Sequence, residues 1–323
     1  MSPLIFFGSD RFSAVVLSEL ISQNHAPTLV VTDQPKPARN TSHSDAGGPK
    51  GKQGILSPNE VETLAKTQDI KILYYQDNNE ELIKYIQHSK YNIQNTNLTG
   101  LSASFPHLFP ADFISLFSGH LYNLHPSLLP QYRNVAPGPY AIIMGDKETG
   151  ITLQHIDERI DTGSIIAQQS APIHPSDTST TLLNRLFTKG AEIFIQHLSD
   201  GFTDLRINRF TNQLIFTRKL TRQSGYIEWD IVQKLLQGRT LKVGDTVNPL
   251  IHLRLTHHPE RTENILPDLI RGLNPYERVW TVAKTKKGEL QLTLSLSPNG
   301  EIMVLIPGKP KPILYTDFVK YYL

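Results

Sequence analysis

Pro3-Leu4-Ile5-Phe6-Phe7-Gly8-Ser9-Asp10 is a short apolar run that stops at a glycine and two polar residues. An apolar run of this length, bounded by a turn signal, reads as a strand buried on both faces. Behind the turn, Phe12, Val15, Val16 and Leu20 fall at helical spacing, so the opening is strand, tight turn, helix. That is a mononucleotide-type unit. A single glycine is not a dinucleotide fingerprint, which needs two more at fixed spacing, and no nicotinamide cofactor is expected.

Outward from this unit the same alternation continues. Leu29-Val30-Val31-Thr32 reads as a second strand, and the segment from Asp33 to Leu56, rich in Pro, Gly, Lys, Ser and Asn, as an exposed mobile loop. Ser57-Pro58-Asn59-Glu60 has the form of a capping box with proline at the first helical position, and Val61, Leu64 and Ala65 give the helix a buried face. Ile70 to Tyr74, a helix with Leu82, Ile83 and Ile86, and Leu98 to Phe105 follow. Strands alternating with helices predict an α/β fold: a Rossmann-like, mostly parallel sheet with helices on both faces. Ala136 to Met144 reads as a helix, and Gly150 to Ile156 and Ser164 to Gln168 as strands. Thr178 to Leu198 is an amphipathic helix with Leu182, Leu186 and Phe187 on one side, and Asp200-Gly201 ends it. From Arg206 the texture changes to short alternating strands, as in Leu290 to Leu296 and Ile302 to Ile306, consistent with a small all-β barrel. Two domains are expected, 1–201 and 202–323.

A chain of 323 residues with 39% hydrophobic content is long enough for two cores. It has no cysteine, so disulfides, thiolate metal sites and thiol nucleophiles are excluded. The start has neither the basic residues nor the apolar length of a signal peptide, and no run approaches a membrane span, so a cytoplasmic protein is expected. Charge is divided unevenly. Met1 to Leu205 carries 14 Lys and Arg against 20 Asp and Glu, net −6, whereas Arg206 to Leu323 carries 18 against 10, net +8. A basic domain joined to an acidic one suggests that the former holds a polyanion while the latter does chemistry; a solvated basic surface without a partner is the alternative.

The candidate chemistry lies in Tyr122-Asn123-Leu124-His125-Pro126-Ser127-Leu128-Leu129-Pro130. In a strand alternate residues point the same way, so Asn123 and His125 share one face. The amide can donate to an oxyanion and the imidazole can exchange a proton near neutral pH, which is the equipment for acyl transfer. Taken alone, the pair can also be a turn residue and a hydrogen-bonded core histidine. A partner stands 36 positions beyond His125: Asp161, in Asp161-Thr162-Gly163, reads as a turn carboxylate able to orient an imidazole and favour its cation. His107 is read as a loop residue, and His257-His258 as a surface pair without the carboxylate spacing of a metal site.

Asn-x-His followed by Ser-Leu-Leu-Pro and then by Asp-Thr-Gly resembles the folate-dependent formyltransferase superfamily, and Phe6-Phe7-Gly8-Ser9-Asp10-Arg11-Phe12 is similar to the Phe-x-Gly-Thr-x-x-Phe pattern at the start of its members. Within the superfamily, the methionyl-tRNA branch is similar over nearly the whole chain, most strongly from Asn123 to Gly163. The resemblance implies direct transfer of a formyl group from 10-formyltetrahydrofolate to an amine, without a metal. Asn123 and protonated His125 would stabilise the oxyanion, and Asp161 would aim the imidazolium and take the amine's proton through water. Ser127, Leu128, Leu129 and Pro130 would line the folate pocket. Tyr226 to Asp230 and Ile270 to Tyr276 resemble landmarks of the family's oligonucleotide-binding-like barrel, with unassigned residues from about Gln237 to Leu266 between them. Lys36, Arg39, Lys50 and Lys52 match a basic loop that meets the acceptor end of tRNA. The implied acceptor is initiator methionyl-tRNA, with an amino-sugar nucleotide as the alternative. A catalytically silent RNA-binding relative is opposed by the presence of all three of Asn123, His125 and Asp161. A monomer is expected, in the cytoplasm or, in a eukaryote, an organellar matrix. The chain departs from the family at Pro106 and Asn134, where glycine is usual. Proline removes a backbone donor, whereas asparagine tolerates positive φ.

Overall fold

Ile5, Phe6 and Phe7 are fully shielded from solvent and form, with Leu4, the strand β1 (Leu4–Phe7). The turn behind it is closed by Asp10, whose carboxylate accepts from the backbone N–H groups of Phe12 and Ser13, both at 2.9 Å, capping α1 (Arg11–Ser22). A cap of this kind is worth about 1 kcal/mol. A Cβ on Gly8 would lie 2.4 Å from that of Ser13, so only glycine allows so close a turn. The helix buries Phe12, Ser13, Val16, Leu17 and Leu20. Val15, expected in this face, lies off the stripe, because at 100° per residue its direction diverges from that of 12, 16 and 20.

The computed structural model describes residues 3–37, 56–76, 79–92, 98–200, 215–286 and 288–323. After α1 come β2 (Leu29–Thr32), the short β3 (Lys36–Pro37) and β4 (Leu56–Ser57), α2 (Glu60–Thr67), β5 (Lys71–Tyr74), α3 (Glu80–Asn92), β6 (Thr99–Ala103), α4 (Ala111–Ser115) and β7 (Leu121–His125). Then follow β8 (Arg133–Asn134), α5 (Pro137–Ile143), β9 (Glu148–His155), β10 (Ile165–Pro172) and α6 (Ser179–Asp200). One sheet runs in the order β10-β9-β7-β6-β1-β2-β5, parallel from β7 to β5, with β9 antiparallel to β7. The expected Rossmann-like sheet is therefore present, and β7 lies inside it. The loop expected from Asp33 to Leu56 falls largely outside the described residues.

Helix α2 begins two residues later than its capping-box reading. Asn59, not Ser57, is the cap: its side-chain Oδ1 accepts from Glu62 N–H at 2.8 Å, while its Nδ2 donates to Thr32 Oγ1 at 2.9 Å. The added tie to β2 favours this start. The helix buries Val61, Glu62 and Ala65, and Leu64 is only half-buried. Glu62, 1% exposed, is accommodated by Lys66 Nζ at 2.6 Å and the Tyr74 hydroxyl at 2.9 Å. Burial and the Glu62 hydrogen bond push the Tyr74 phenol up, and the same carboxylate raises Lys66.

The chain forms two compact units, one comprising Met1–His125, Thr152–Gln168 and Phe187–Ile207, the other Pro126–Ile151, Gln169–Leu186 and Asn208–Leu323. The boundary expected near residue 201 falls at the edge of 201–214, outside the described residues. In the first unit, register aligns Leu73, Val31, Phe7, Ser102, Asn123 and Gln154 across six strands. Leu73, Val31 and Phe7 enter an apolar cluster with Leu82 and Ile86 of α3 and Phe113 of α4. The row turns polar from Ser102 onward. One residue pair lower, Gly100 leaves room for Phe117, whose ring carbon Cε1 would stand 2.7 Å from any Cβ there.

The second unit continues through β11 (Phe216–Thr217), a 3₁₀ turn over Arg222–Gly225, α7 (Trp229–Leu236), α8 (Pro249–His257), α9 (Ile265–Leu273), β12 (Val279–Thr285), β13 (Gly288–Leu296), β14 (Ile302–Leu305), β15 (Ile313–Leu314) and α10 (Tyr315–Tyr322). The last four strands pair antiparallel in sequence order, a four-stranded sheet consistent with the small β domain expected at this end as a barrel. Helices accompany it, and the unassigned stretch from Gln237 to Leu266 contains α8. Its helical period is hidden in the sequence because Arg254 occupies a core position alongside Leu250, Ile251 and Leu255. Every residue of α5 is buried, and α9 packs on it closely enough that a Cβ on Gly272 would lie 2.4 Å from Ile143 Cγ1.

Arg254, 3% exposed, joins these elements. It donates to Asp268 Oδ2 at 2.8 Å and to the carbonyls of Ile143 at 2.9 Å, Arg261 at 2.8 Å and Glu263 at 2.6 Å. Truncating one member of a buried, hydrogen-bonded pair strands the rest and typically costs about 3–5 kcal/mol. Arg254→Ala should lose that much in denaturant unfolding followed by tryptophan fluorescence, Trp229 and Trp280 both lying in this unit. A loss below about 1 kcal/mol would mean that water replaces the network.

Candidate active site

Strand β7 presents its polar residues in a fixed direction because both of its edges are paired. Ser102 is the partner of Asn123 on the β6 side, and on the β9 side Asn123 faces Gln154 and His125 faces Thr152. Leu121, Asn123 and His125 therefore point one way, Tyr122 and Leu124 the other. Leu121, at the amino end, joins the apolar cluster. Asn123 and His125 follow at the carboxyl end, where open α/β sheets bind ligands.

Asp161 reaches the same place from the turn between β9 and β10. Its φ of +52° lies in the left-handed region, which aspartate tolerates better than most residues. The turn is held against β9: His155 N–H donates to Ser164 O at 3.0 Å, and a Cβ on Gly163 would fall 1.8 Å from the His155 carbonyl oxygen. That close approach is the reason for the glycine in Asp-Thr-Gly. The result is an Asp161 Oδ1 3.4 Å from His125 Nδ1, with the two side chains 8% and 6% exposed. A carboxylate at this nitrogen favours the imidazolium, or the neutral tautomer with the proton on Nδ1. Asn123, His125 and Asp161 are thus brought together on one unit, with an amide donor, a proton-exchanging ring and a buried carboxylate. Such a set can stabilise an oxyanion and accept a proton without a covalent intermediate.

Sequence reading missed the residues around them. Gln154 Nε2 donates to Asp161 Oδ1 at 3.0 Å, and Gln168 Nε2 donates to Thr152 Oγ1 at 2.9 Å. A signal was available, since Ile151 and Leu153 alternate with Thr152 and Gln154 in a run otherwise suited to burial. His107 lies in a loop, as read, where its Nε2 is 2.6 Å from Asp33 Oδ1 and its ring 4.6 Å from that of Tyr75. Neighbouring Pro106 is exposed.

Ser127, Leu128, Leu129 and Pro130 belong to the second unit. There the Ser127 hydroxyl donates to Gln131 O at 2.7 Å, closing its own turn. Leu129 is buried, and Leu128 and Pro130 are half-buried. A Cβ on Gly150 would lie 2.5 Å from Leu128 Cδ2. Asn134 adopts the expected positive φ, at 83°, and its Nδ2 donates to Thr217 O. Of the basic loop residues, Lys36 has its backbone in β3, opposite Ser57 of β4. Arg39, Lys50 and Lys52 lie outside the described residues.

Known proteins resemble this chain in sequence and in fold. A methionyl-tRNA formyltransferase of Staphylococcus aureus (strain Newman) is 29% identical over 234 residues, covering 71% of this chain and 69% of that protein. An N-formyltransferase from Helicobacter canadensis, solved with folinic acid and dTDP-3-aminofucose, shares the fold with a TM-score of 0.52 at 18% identity, over 94% of this chain and 95% of that one. A sugar 3N-formyl transferase, WlaRD, solved with dTDP and 5-N-formyl-THF, shares it with a TM-score of 0.51 at 19% identity, over 96% and 99%. The model of the formyl transferase family matches residues 3–198, which include the whole Asn123, His125 and Asp161 set, and the chain belongs to that family.

Proposed function

We propose that this enzyme transfers the formyl group of 10-formyltetrahydrofolate to the amino group of methionyl-initiator-tRNA. The convergence of Asn123, His125 and Asp161 carries the chemical half of this reading. The amine nitrogen attacks the formyl carbon, and negative charge grows on the formyl oxygen. Asn123 donates to that oxygen, and His125, as imidazolium, stabilises it electrostatically. Asp161 holds the ring and accepts the amine's proton through water; the bond from carbon to the folate nitrogen N10 then breaks, and N10 is reprotonated. Ser127, Leu128, Leu129 and Pro130 would contribute to the folate pocket. The donor set fits the co-substrate, because an amide, an imidazolium and a carboxylate are what a carbonyl and an attacking amine require.

The acceptor half is supported by the relative named methionyl-tRNA formyltransferase and by the distribution of charge. A nucleotide sugar needs one small pocket with a few donors, whereas a tRNA needs an extended basic surface. The excess of +8 between Arg206 and Leu323 suits the latter. The division of labour would be a catalytic domain over 1–201 and a tRNA-binding domain over 202–323, aided by Lys36, Arg39, Lys50 and Lys52. A monomer working in the cytoplasm, or in an organellar matrix in a eukaryote, fits this role.

Replacing His125 or Asp161 with alanine should lower transfer by roughly 10²–10⁴-fold while the fold is retained. Turnover near wild type in either variant, measured with radiolabelled formyl donor, would remove the catalytic assignment. Offered charged initiator tRNA and nucleotide sugars side by side, the enzyme should formylate the tRNA, with affinity falling steeply as salt rises. Charge reversal at Lys286 and Lys287, or at Lys50 and Lys52, should weaken tRNA use and leave folate binding unchanged. Formylation of a nucleotide sugar alone would transfer the assignment to the amino-sugar class.

A further inference from the structure

We infer that Gln154 is a positioning residue for formyl transfer, acting through Asp161. This rests on the catalytic reading of Asp161 given above. Three observations meet at this side chain. Register places Gln154 directly opposite Asn123, on the face that carries His125. Its Nε2 donates to Asp161 Oδ1 at 3.0 Å, the same oxygen that lies 3.4 Å from His125 Nδ1. Its Oε1 is buried and makes no hydrogen bond among the described residues, in a residue only 2% exposed.

The unmatched oxygen is what separates positioning from packing. A buried acceptor without a partner costs free energy, and methionine would fill nearly the same volume without that cost. The glutamine is therefore poorly suited as filler and well suited as a donor. Its orientation is also determined: turned by 180°, the amide would set its oxygen against an ionised carboxylate, so the charge on Asp161 selects the Nε2 side. With Gln154 and His125 both on Oδ1, the carboxylate is held by two strands of the sheet as well as by its own turn. Its plane, and with it the path of the departing proton, is fixed before substrate arrives.

The test is a double-mutant cycle on the full-length enzyme, combining Gln154→Met and Asp161→Asn and measuring single-turnover formyl transfer to the acceptor identified by the side-by-side assay. Gln154→Met should lower kcat by roughly 10–100-fold, the range usual for residues that orient a reacting group, with little change in KM for the folate. In the Asp161→Asn background the same substitution should have almost no further effect, because the carboxylate through which it acts is gone. Gln154→His, which returns an N–H donor of comparable reach, should recover part of the lost rate. Thermal unfolding of each variant separates loss of fold from loss of rate.

Failure can be assigned. If Asp161→Asn is as active as wild type, the catalytic reading itself falls. If Asp161→Asn is impaired but Gln154→Met is not, the inference about Gln154 alone is overturned. It is overturned equally if the two effects multiply independently, or if Gln154→Met acts only through KM or thermal stability, since a packing residue would behave in those ways.

Discussion

The pairing of β7 with β9 is the constraint on which the site depends. Side chains alternate along a strand, so a slip of one residue would turn Asn123 and His125 to the opposite face and bring Tyr122 and Leu124 to theirs. Such a slip is opposed at both ends of the row. Leu121 is needed in the cluster with Phe113 and Phe117, and Tyr122 packs on the other face against Phe194, ring centroids 6.1 Å apart. Apolar burial at the amino end of β7 thus fixes the direction of polar groups at its carboxyl end. The geometry of the candidate site is a by-product of core packing one and two residues away.

What could be read from the sequence was what short periods encode. The strand at Leu4 to Phe7 follows from an unbroken apolar run, the helix ending near Asp200 from a repeat of 3.6 residues, and the shared face of Asn123 and His125 from a repeat of two. The turn around Asp161 was legible because Asp-Thr-Gly admits few conformations, and the φ of Asn134 because so few residues accept that region. Function came mainly from resemblance; the residues alone left a core histidine and a turn asparagine possible.

What could not be read involves partners distant in sequence. Asn59 caps α2 because Thr32, 27 residues earlier, offers its amide a second bond. Arg254 sits in a core because Ile143, 111 residues away, supplies a carbonyl. Gln154 matters through Asp161, seven positions on but across a turn whose closure depends on a missing Cβ. In each case a polar residue breaks the local apolar pattern and is compensated from elsewhere in the chain. Pattern reading registers the break and cannot see the compensation.

Helix α5 has a consequence for how the protein is made. All its residues are buried, and much of its cover comes from α9, which is synthesised more than a hundred residues later. On the ribosome the first unit can gather its strands once α6 has emerged, while Tyr140, Ile143 and Met144 still lack that cover. The nascent chain therefore carries an uncovered apolar helix until the C-terminal segment is released. A fragment cut at residue 200 would remain permanently in that condition, sticky and prone to associate, although it holds Asn123, His125 and Asp161.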